Sequence, residues 1–131
     1  MEKKLIQAAL EARERSYSPY SNFRVGAAVL ADGQIYSGCN IEIASYSPTI
    51  CAERTAIFKS VSEGHRKIDK IAVVGDNIDT FPCGVCRQVM REFGRDAEII
   101  IANSIDDYRV FKLEEILPHS FGPGDLGRES D

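Results

Sequence analysis

The sequence of 131 residues contains no apolar run that approaches the roughly 18 residues of a membrane-spanning helix. It also shows no internal repeat, no low-complexity stretch and no linker, so we expect residues 1–131 to form a single domain. The first residues, Met1-Glu2-Lys3-Lys4, lead into a mixed helical segment and lack the apolar core of a signal peptide. We therefore expect a cytoplasmic protein with no membrane partner.

Positive charge is in the minority, because 16 lysines and arginines stand against 20 aspartates and glutamates, for a net charge of −4. An acidic chain repels phosphate backbones, which disfavours a nucleic-acid partner. Histidine is also scarce: His65 and His119 are the only two, and neither has a metal-ligand spacing, so we place both at the surface or in loops. The four cysteines are therefore the main candidates for metal ligands.

Hydrophobic patterns predict the order α-β-β-α-β-α-β-β. Helical spacing covers three segments, at 3–15, 50–61 and 83–93. Strand-like patterns cover five segments, at 23–30, 34–39, 68–74, 98–102 and 108–111. Pro48 and Pro82 suit the first turns of the second and third helices, and a hairpin turn is expected at 32–33. One further helical turn is predicted at 113–117, and the last eight or so residues are expected to be loose. This order implies helices packed on a mixed five-stranded sheet.

Two short segments concentrate the chemistry, namely Cys-Ala-Glu at 51–53 and Pro-Cys-Gly-Val-Cys at 82–86. Thiolates are soft ligands that suit zinc, and a C-x-x-C pair is a usual zinc claw. Three protein ligands plus water form a catalytic zinc site, whereas a structural zinc usually takes four protein ligands. Both segments lie where a helix is predicted to begin, and the partial positive charge of a helix N-terminus favours thiolate over thiol.

The predicted zinc ligands are Cys51, Cys83 and Cys86. Glu53 follows the first of them by two positions, so it is close enough to act beside the metal without ligating it. Arg54 could hydrogen-bond to ligand sulfurs and offset their charge; the alternative is a solvent-exposed helix arginine. A Cys or His followed by x-Glu, together with P-C-x-x-C, is the signature of zinc-dependent nucleobase deaminases.

Nearly the whole chain resembles a cytidine deaminase of the small, homotetrameric, three-thiolate class. The matching motifs are YSPYSNF at 17–23, VGAA at 25–28, GCNIE at 38–42, TICAERTA at 49–56, PCGVCRQ at 82–88 and LEEILP at 113–118, with Phe121. The resemblance implies a three-layer α-β-α fold, one zinc ion per chain, and hydrolytic deamination of cytidine and 2′-deoxycytidine in pyrimidine salvage. It also implies a homotetramer that shares its active sites between subunits.

The resemblance assigns roles beyond the metal site. Asn40 and Glu42 match residues that hydrogen-bond the ribose hydroxyls. Phe23 matches an aromatic side chain that packs against the base, and the backbone around Ala52 matches a segment that contacts the pyrimidine edge. Phe121 matches an aromatic side chain that a neighbouring subunit contributes. Glu53 matches the carboxylate that carries protons, and Arg54 matches the arginine beside the thiolates.

One position departs from the family pattern. Where such enzymes commonly have Asn-x-Glu-Asn-Ala, this chain has Asn-Ile-Glu-Ile-Ala at 40–44. Ile43 cannot reproduce the hydrogen bonds of an amide. We therefore expect this change to affect the geometry of the loop or the preference for the sugar.

Other readings remain open from the sequence. A structural zinc could use all four cysteines, with Cys39 as the fourth ligand, and a redox C-x-x-C protein is a second non-enzymatic reading. Among enzymes, the alternatives are a deaminase of another aminopyrimidine nucleoside such as blasticidin S, a nucleotide deaminase and a polynucleotide editor. The last two would require a basic phosphate site or a basic surface.

Overall fold

The computed structural model describes residues 1–128. The helices are α1 (Glu2–Arg13), α2 (Ala52–Ser62), α3 (Gly84–Phe93) and α4 (Leu113–Ile116), and a 3-10 helix spans Pro123–Leu126. The strands are β1 (Val25–Ala31), β2 (Gln34–Cys39), β3 (Ile68–Gly75), β4 (Glu98–Ser104) and β5 (Asp107–Lys112). Within these residues, no helix is both long and apolar enough to cross a bilayer.

The five strands form one sheet in the order β2-β1-β3-β4-β5. β3 and β4 run parallel, whereas the other neighbours are antiparallel, so the predicted mixed five-stranded sheet is confirmed. The predicted hairpin turn joins β1 and β2, and both of its residues, Asp32 and Gly33, have positive φ angles of 51° and 77°. Two successive positive φ angles are typical of the type I′ turn, whose twist matches that of the flanking strands.

The sheet has a separate apolar core on each face, because successive strand residues point to opposite sides. On one face, Leu5, Ile6 and Ala9 of α1 pack with Ala28 and Ala72. The other face is covered by α2 and α3, whose buried side chains, including Ile57 and Met90, pack against β1, β3 and β4. The result is the three-layer α-β-α arrangement.

Most element ends differ from the prediction by one or two residues, for example α1, which ends at Arg13 and not at 15, and two departures have a structural reason. The second helix begins at Ala52 and not near Ile50, because Ile50 forms an antiparallel bridge with Ile41 and stays extended. Pro48 therefore precedes the helix and is not in its first turn. The C-terminal segment was expected to be loose, but Pro123–Leu126 forms a 3-10 helix that Gly127 ends with a φ of 80°. Residues 129–131 lie outside the described part of the chain.

We predict that Gly26→Ala destabilises the protein by about 1–3 kcal/mol, which is the usual cost of overpacking a close contact. A Cβ at Gly26 would lie 2.0 Å from the Ala9 carbonyl oxygen and 2.6 Å from the Arg13 nitrogen, so α1 would have to move away from β1. Urea unfolding at matched zinc content measures the change. Gly84→Ala is the control, since a Cβ there meets no atom within 4 Å; equal stability of the two variants would contradict the prediction.

Candidate active site

Three cysteine sulfurs meet where α2 and α3 begin. Cys51 is the N-cap residue of α2, Cys83 is the N-cap residue of α3, and Cys86 lies in the first turn of α3. The Sγ atoms of Cys51 and Cys83 are 3.7 Å apart, those of Cys83 and Cys86 are 3.5 Å apart, and all three lie within 4.8 Å of one another. Tetrahedral zinc with Zn–S bonds of about 2.3 Å requires sulfurs about 3.8 Å apart, so the cluster fits zinc.

Cys39 is not part of this cluster. It ends β2, and its thiol donates to the carbonyl oxygen of Arg15 at 3.4 Å. The fourth thiolate that a structural four-cysteine site would need is therefore absent from the cluster. A site with three sulfur ligands keeps one position open, which is the pattern of a catalytic zinc.

Arg54 lies beside the sulfurs, as the sequence suggested. Its Nη2 donates to Cys51 Sγ at 3.4 Å, and its buried Nε has no hydrogen-bond partner among the described residues. The pKa of Cys51 is lowered to about 5, mainly by the hydrogen bond from Cys86 and, to a smaller extent, by the one from Arg54. Burial acts in the opposite direction and raises this pKa. The hydrogen bond from the Arg54 guanidinium therefore favours the thiolate form of Cys51.

Glu53 is the one buried carboxylate of the site. It lies in the first turn of α2 and is only 4% exposed. Burial raises the pKa of Glu53 to about 7, because the charged carboxylate loses its hydration. A carboxyl group with this pKa can accept and release a proton near neutral pH.

A cavity of about 310 Å³ opens beside these groups. Phe23, Ala52, Glu53, Cys51 and Cys83 all line it, so two of the three cysteines and the buried carboxylate border one space. Cys86 is fully buried and does not line the cavity. The other lining residues are Ser21, Val25, Asn40, Glu42, Thr49, Ile50, Thr80 and Phe81. The volume is that of a small-molecule site.

The two residues predicted to bind the sugar, Asn40 and Glu42, line the cavity, and local hydrogen bonds hold each of them. Asn40 Oδ1 accepts from the Val25 amide at 2.9 Å and from the Ser16 hydroxyl at 2.5 Å, while its Nδ2 donates to the Phe23 carbonyl at 2.8 Å. One N–H of the Asn40 amide remains for a ligand.

Glu42 is held by hydrogen bonds from the loop that contains Tyr20 and Ser21. Its Oε1 accepts from the amides of Tyr20 and Ser21 at 3.0 and 3.1 Å, and its Oε2 accepts from the Ser21 hydroxyl. The hydrogen bond from the Ser21 side chain contributes most to lowering the pKa of Glu42. The carboxylate is therefore held as an ionised acceptor, and one lone-pair site on Oε2 remains to accept from a hydroxyl group.

Phe121 is the one predicted substrate contact that does not line the cavity, and Ile43, the departure from the family pattern, does not line it either. Phe121 is 58% exposed, and its carbonyl oxygen accepts from Gln88 Nε2 at 2.8 Å. The backbone amide of Ile43 donates to Thr49 Oγ1 at 2.9 Å.

Six lining residues received no role from the sequence, namely Ser21, Val25, Thr49, Ile50, Thr80 and Phe81. The first four lie inside motifs that the resemblance rests on, and Phe81 directly precedes Pro82 of the second cysteine segment. Closeness to these motifs was the signal that could have identified them.

Comparison with known proteins agrees with this geometry. The family model described as the cytidine and deoxycytidylate deaminase zinc-binding region matches residues 1–103. The cytidine deaminase of Sporosarcina psychrophila is 48% identical over 126 residues, covering 94% of this chain and 93% of that protein.

Solved structures agree in fold. The cytidine deaminase from Burkholderia pseudomallei superposes with a TM-score of 0.87 at 46% identity, covering 92% of this chain and 99% of that one. The cytidine deaminase from Mycobacterium tuberculosis has a TM-score of 0.78 at 37% identity, covering 91% of this chain and 95% of that one. With the three-sulfur cluster and its buried glutamate, these matches show that the chain belongs to the cytidine and deoxycytidylate deaminase family.

Proposed function

We propose that this protein deaminates cytidine and 2′-deoxycytidine by hydrolysis, giving uridine and 2′-deoxyuridine plus ammonia, with one zinc ion per chain. The observation that carries the proposal is a cluster of three cysteine sulfurs, of which Cys51 and Cys83 line a cavity of nucleoside size together with a buried glutamate. Cys51, Cys83 and Cys86 would hold the metal. When bound, zinc acts as a Lewis acid that makes water a usable nucleophile at neutral pH.

Glu53 carries the protons of the reaction in this proposal. It takes a proton from the attacking water and delivers it to ring nitrogen 3 while the oxygen bonds to carbon 4. It then passes the second proton to the exocyclic amine, which leaves as ammonia. Burial supports the role, because a carboxyl group with a pKa near 7 exchanges protons at neutral pH.

Arg54 partly offsets the negative charge of the metal site. Three thiolates and one divalent ion carry a net charge near −1, which weakens the metal as an electron acceptor. The guanidinium hydrogen bond to Cys51 draws electron density from that sulfur. Arg54 is therefore assigned to the metal surroundings, and the exposed-arginine alternative is set aside.

Asn40 and Glu42 are assigned to the sugar. Their free N–H group and free carboxylate lone pair match the donor and acceptor character of ribose hydroxyls. A base without a sugar would leave these polar groups unpaired, so free cytosine should be a poor substrate. Phe23, on the same cavity wall, supplies an aromatic face for the base.

A nucleoside fits the cavity better than a nucleotide. Among the described residues that line it, none is lysine or arginine, while Glu42 and Glu53 are acidic. A 5′-phosphate would enter without a cationic partner and close to carboxylates. The nucleotide-deaminating branch of the family is therefore the less favoured candidate.

The cavity is open in an isolated chain, and we assign its missing wall to a second copy. Phe121 is exposed and outside its own cavity, yet it matches an aromatic residue that acts across a subunit boundary. Exposed apolar side chains around the molecule, including Tyr46, Phe58 and Val85, suit burial between copies. The proposed assembly is a homotetramer of single-domain chains, which works in pyrimidine salvage in the cytoplasm.

Glu53→Gln tests the proton carrier. We expect zinc to stay at one ion per chain and kcat for cytidine to fall by about 10²- to 10⁴-fold, because glutamine cannot exchange protons. Glu63→Gln, at the exposed end of the same helix, is the matched control and should behave like the wild type. Turnover of Glu53→Gln within tenfold of the wild type would rule out this role.

The substrate prediction is tested by comparing cytidine, 2′-deoxycytidine, cytosine and CMP through the fall in ultraviolet absorbance. We expect both nucleosides to react, and kcat/KM for CMP to lie at least about 100-fold below that for cytidine, since an unpaired phosphate beside carboxylates costs several kcal/mol. Comparable values for CMP and cytidine would instead favour a nucleotide deaminase.

Sharing of the active site between subunits is tested by coexpressing two variants that we expect to be inactive on their own, Glu53→Gln and Phe121→Ala. If Phe121 acts across the boundary, randomly mixed oligomers should contain about one intact site in four, although neither parent has one. Activity of the mixture well above that of the separated parents is the expected result. A mixture no more active than its parents would place Phe121 in its own subunit's chemistry or outside the site.

A further inference from the structure

Phe81 is an exposed aromatic residue of the cavity wall. It lies in the connection between β3 and α3 and is 38% exposed, so the apolar cores do not fix it. It directly precedes Pro82 and the predicted ligand Cys83. A half-exposed aromatic ring in a connection needs some other contact to keep one position.

Two side chains of the edge strand β5 supply that contact. The rings of Phe81 and Phe111 have centroids 5.4 Å apart with an interplanar angle of 59°. The Arg109 guanidinium carbon lies 5.7 Å from the Phe81 ring centroid and 5.3 Å from that of Phe111. One cation thus contacts both rings, within the distance at which cation–π attraction is effective.

Arg109 is itself tied to the connection that carries Phe81. Its Nη2 lies 3.3 Å from Asp79 Oδ2. The Asp79 amide donates to Asn103 Oδ1 at 2.8 Å, and Asn103 Nδ2 donates back to Asp79 Oδ1 at 3.2 Å. The β4–β5 hairpin therefore holds the connection at Asp79 and at the Phe81 ring.

We infer that Arg109 is a positioning residue that holds Phe81 as a wall of the substrate cavity. This inference rests on the proposed function, since the cavity is taken to bind a nucleoside. Phe81 carries no acid or base, so its position affects binding of the nucleoside and not the proton transfers. Loss of Arg109 should consequently raise KM and leave kcat and zinc content unchanged.

The test uses Arg109→Ala in the zinc-loaded, assembled protein. We expect KM for cytidine and Kd for uridine, the latter from titration calorimetry, each to rise about three- to fivefold, as the loss of a partly exposed cation–π contact implies. We expect kcat within twofold of the wild type and one zinc ion per chain. Lys3→Ala is the matched control, because it breaks another exposed ion pair, with Asp106, away from the cavity.

A second pair of variants shows whether Arg109 acts through Phe81. Phe81→Leu keeps an apolar side chain but removes the ring, so Arg109→Ala should add less than a further twofold to KM in that background. Unchanged KM and Kd in Arg109→Ala, or effects of the two substitutions that multiply, would overturn the inference. A wild-type protein that does not deaminate cytidine would instead overturn the proposed function, while the uridine titration still reports on the wall.

Discussion

The site depends on one packing arrangement, in which α2 and α3 lie on the same face of the sheet with their N-termini together. The core that joins them, with Ile57 from α2 and Met90 from α3, is fully buried against the central strands. Gly38 lets α2 approach β2 closely, because a Cβ there would lie 2.7 Å from the Ala56 nitrogen. Two helix N-termini then aim their partial positive charge and free N–H groups at the three sulfurs.

The electrostatics of the site follow from that arrangement. The site brings together three cysteine sulfurs and two carboxyl groups, and Arg54 donates a hydrogen bond to the Cys51 sulfur. Burial separates the two carboxylates chemically: Glu53 has a raised pKa, whereas hydrogen bonds keep the pKa of Glu42 low. One carboxylate can therefore exchange protons while the other remains an ionised acceptor.

The fold was largely predictable, because each strand and helix carries its own periodicity and stop signals. Errors arose where tertiary contacts override the local pattern. Ile50 belongs to a segment with helical hydrophobic spacing, yet its backbone pairs with Ile41, so α2 begins two residues later. Pro123–Leu126 has loop-like composition but forms a 3-10 helix, with Pro123 buried. Neither the Ile41–Ile50 pairing nor the burial of Pro123 can be recognised from the residue pattern of one segment alone.

The sequence by itself determined the donor set, since the spacing of Cys83 and Cys86 and the placement of Glu53 after Cys51 are local properties of two helix starts. Only the tertiary structure decided which residues share the site, because that depends on how distant segments pack. It joined Cys51 to the C-x-x-C pair and directed Cys39 to a backbone carbonyl. Packing also buried Glu53 and placed Phe81 against β5, and it left Phe121 outside its own cavity.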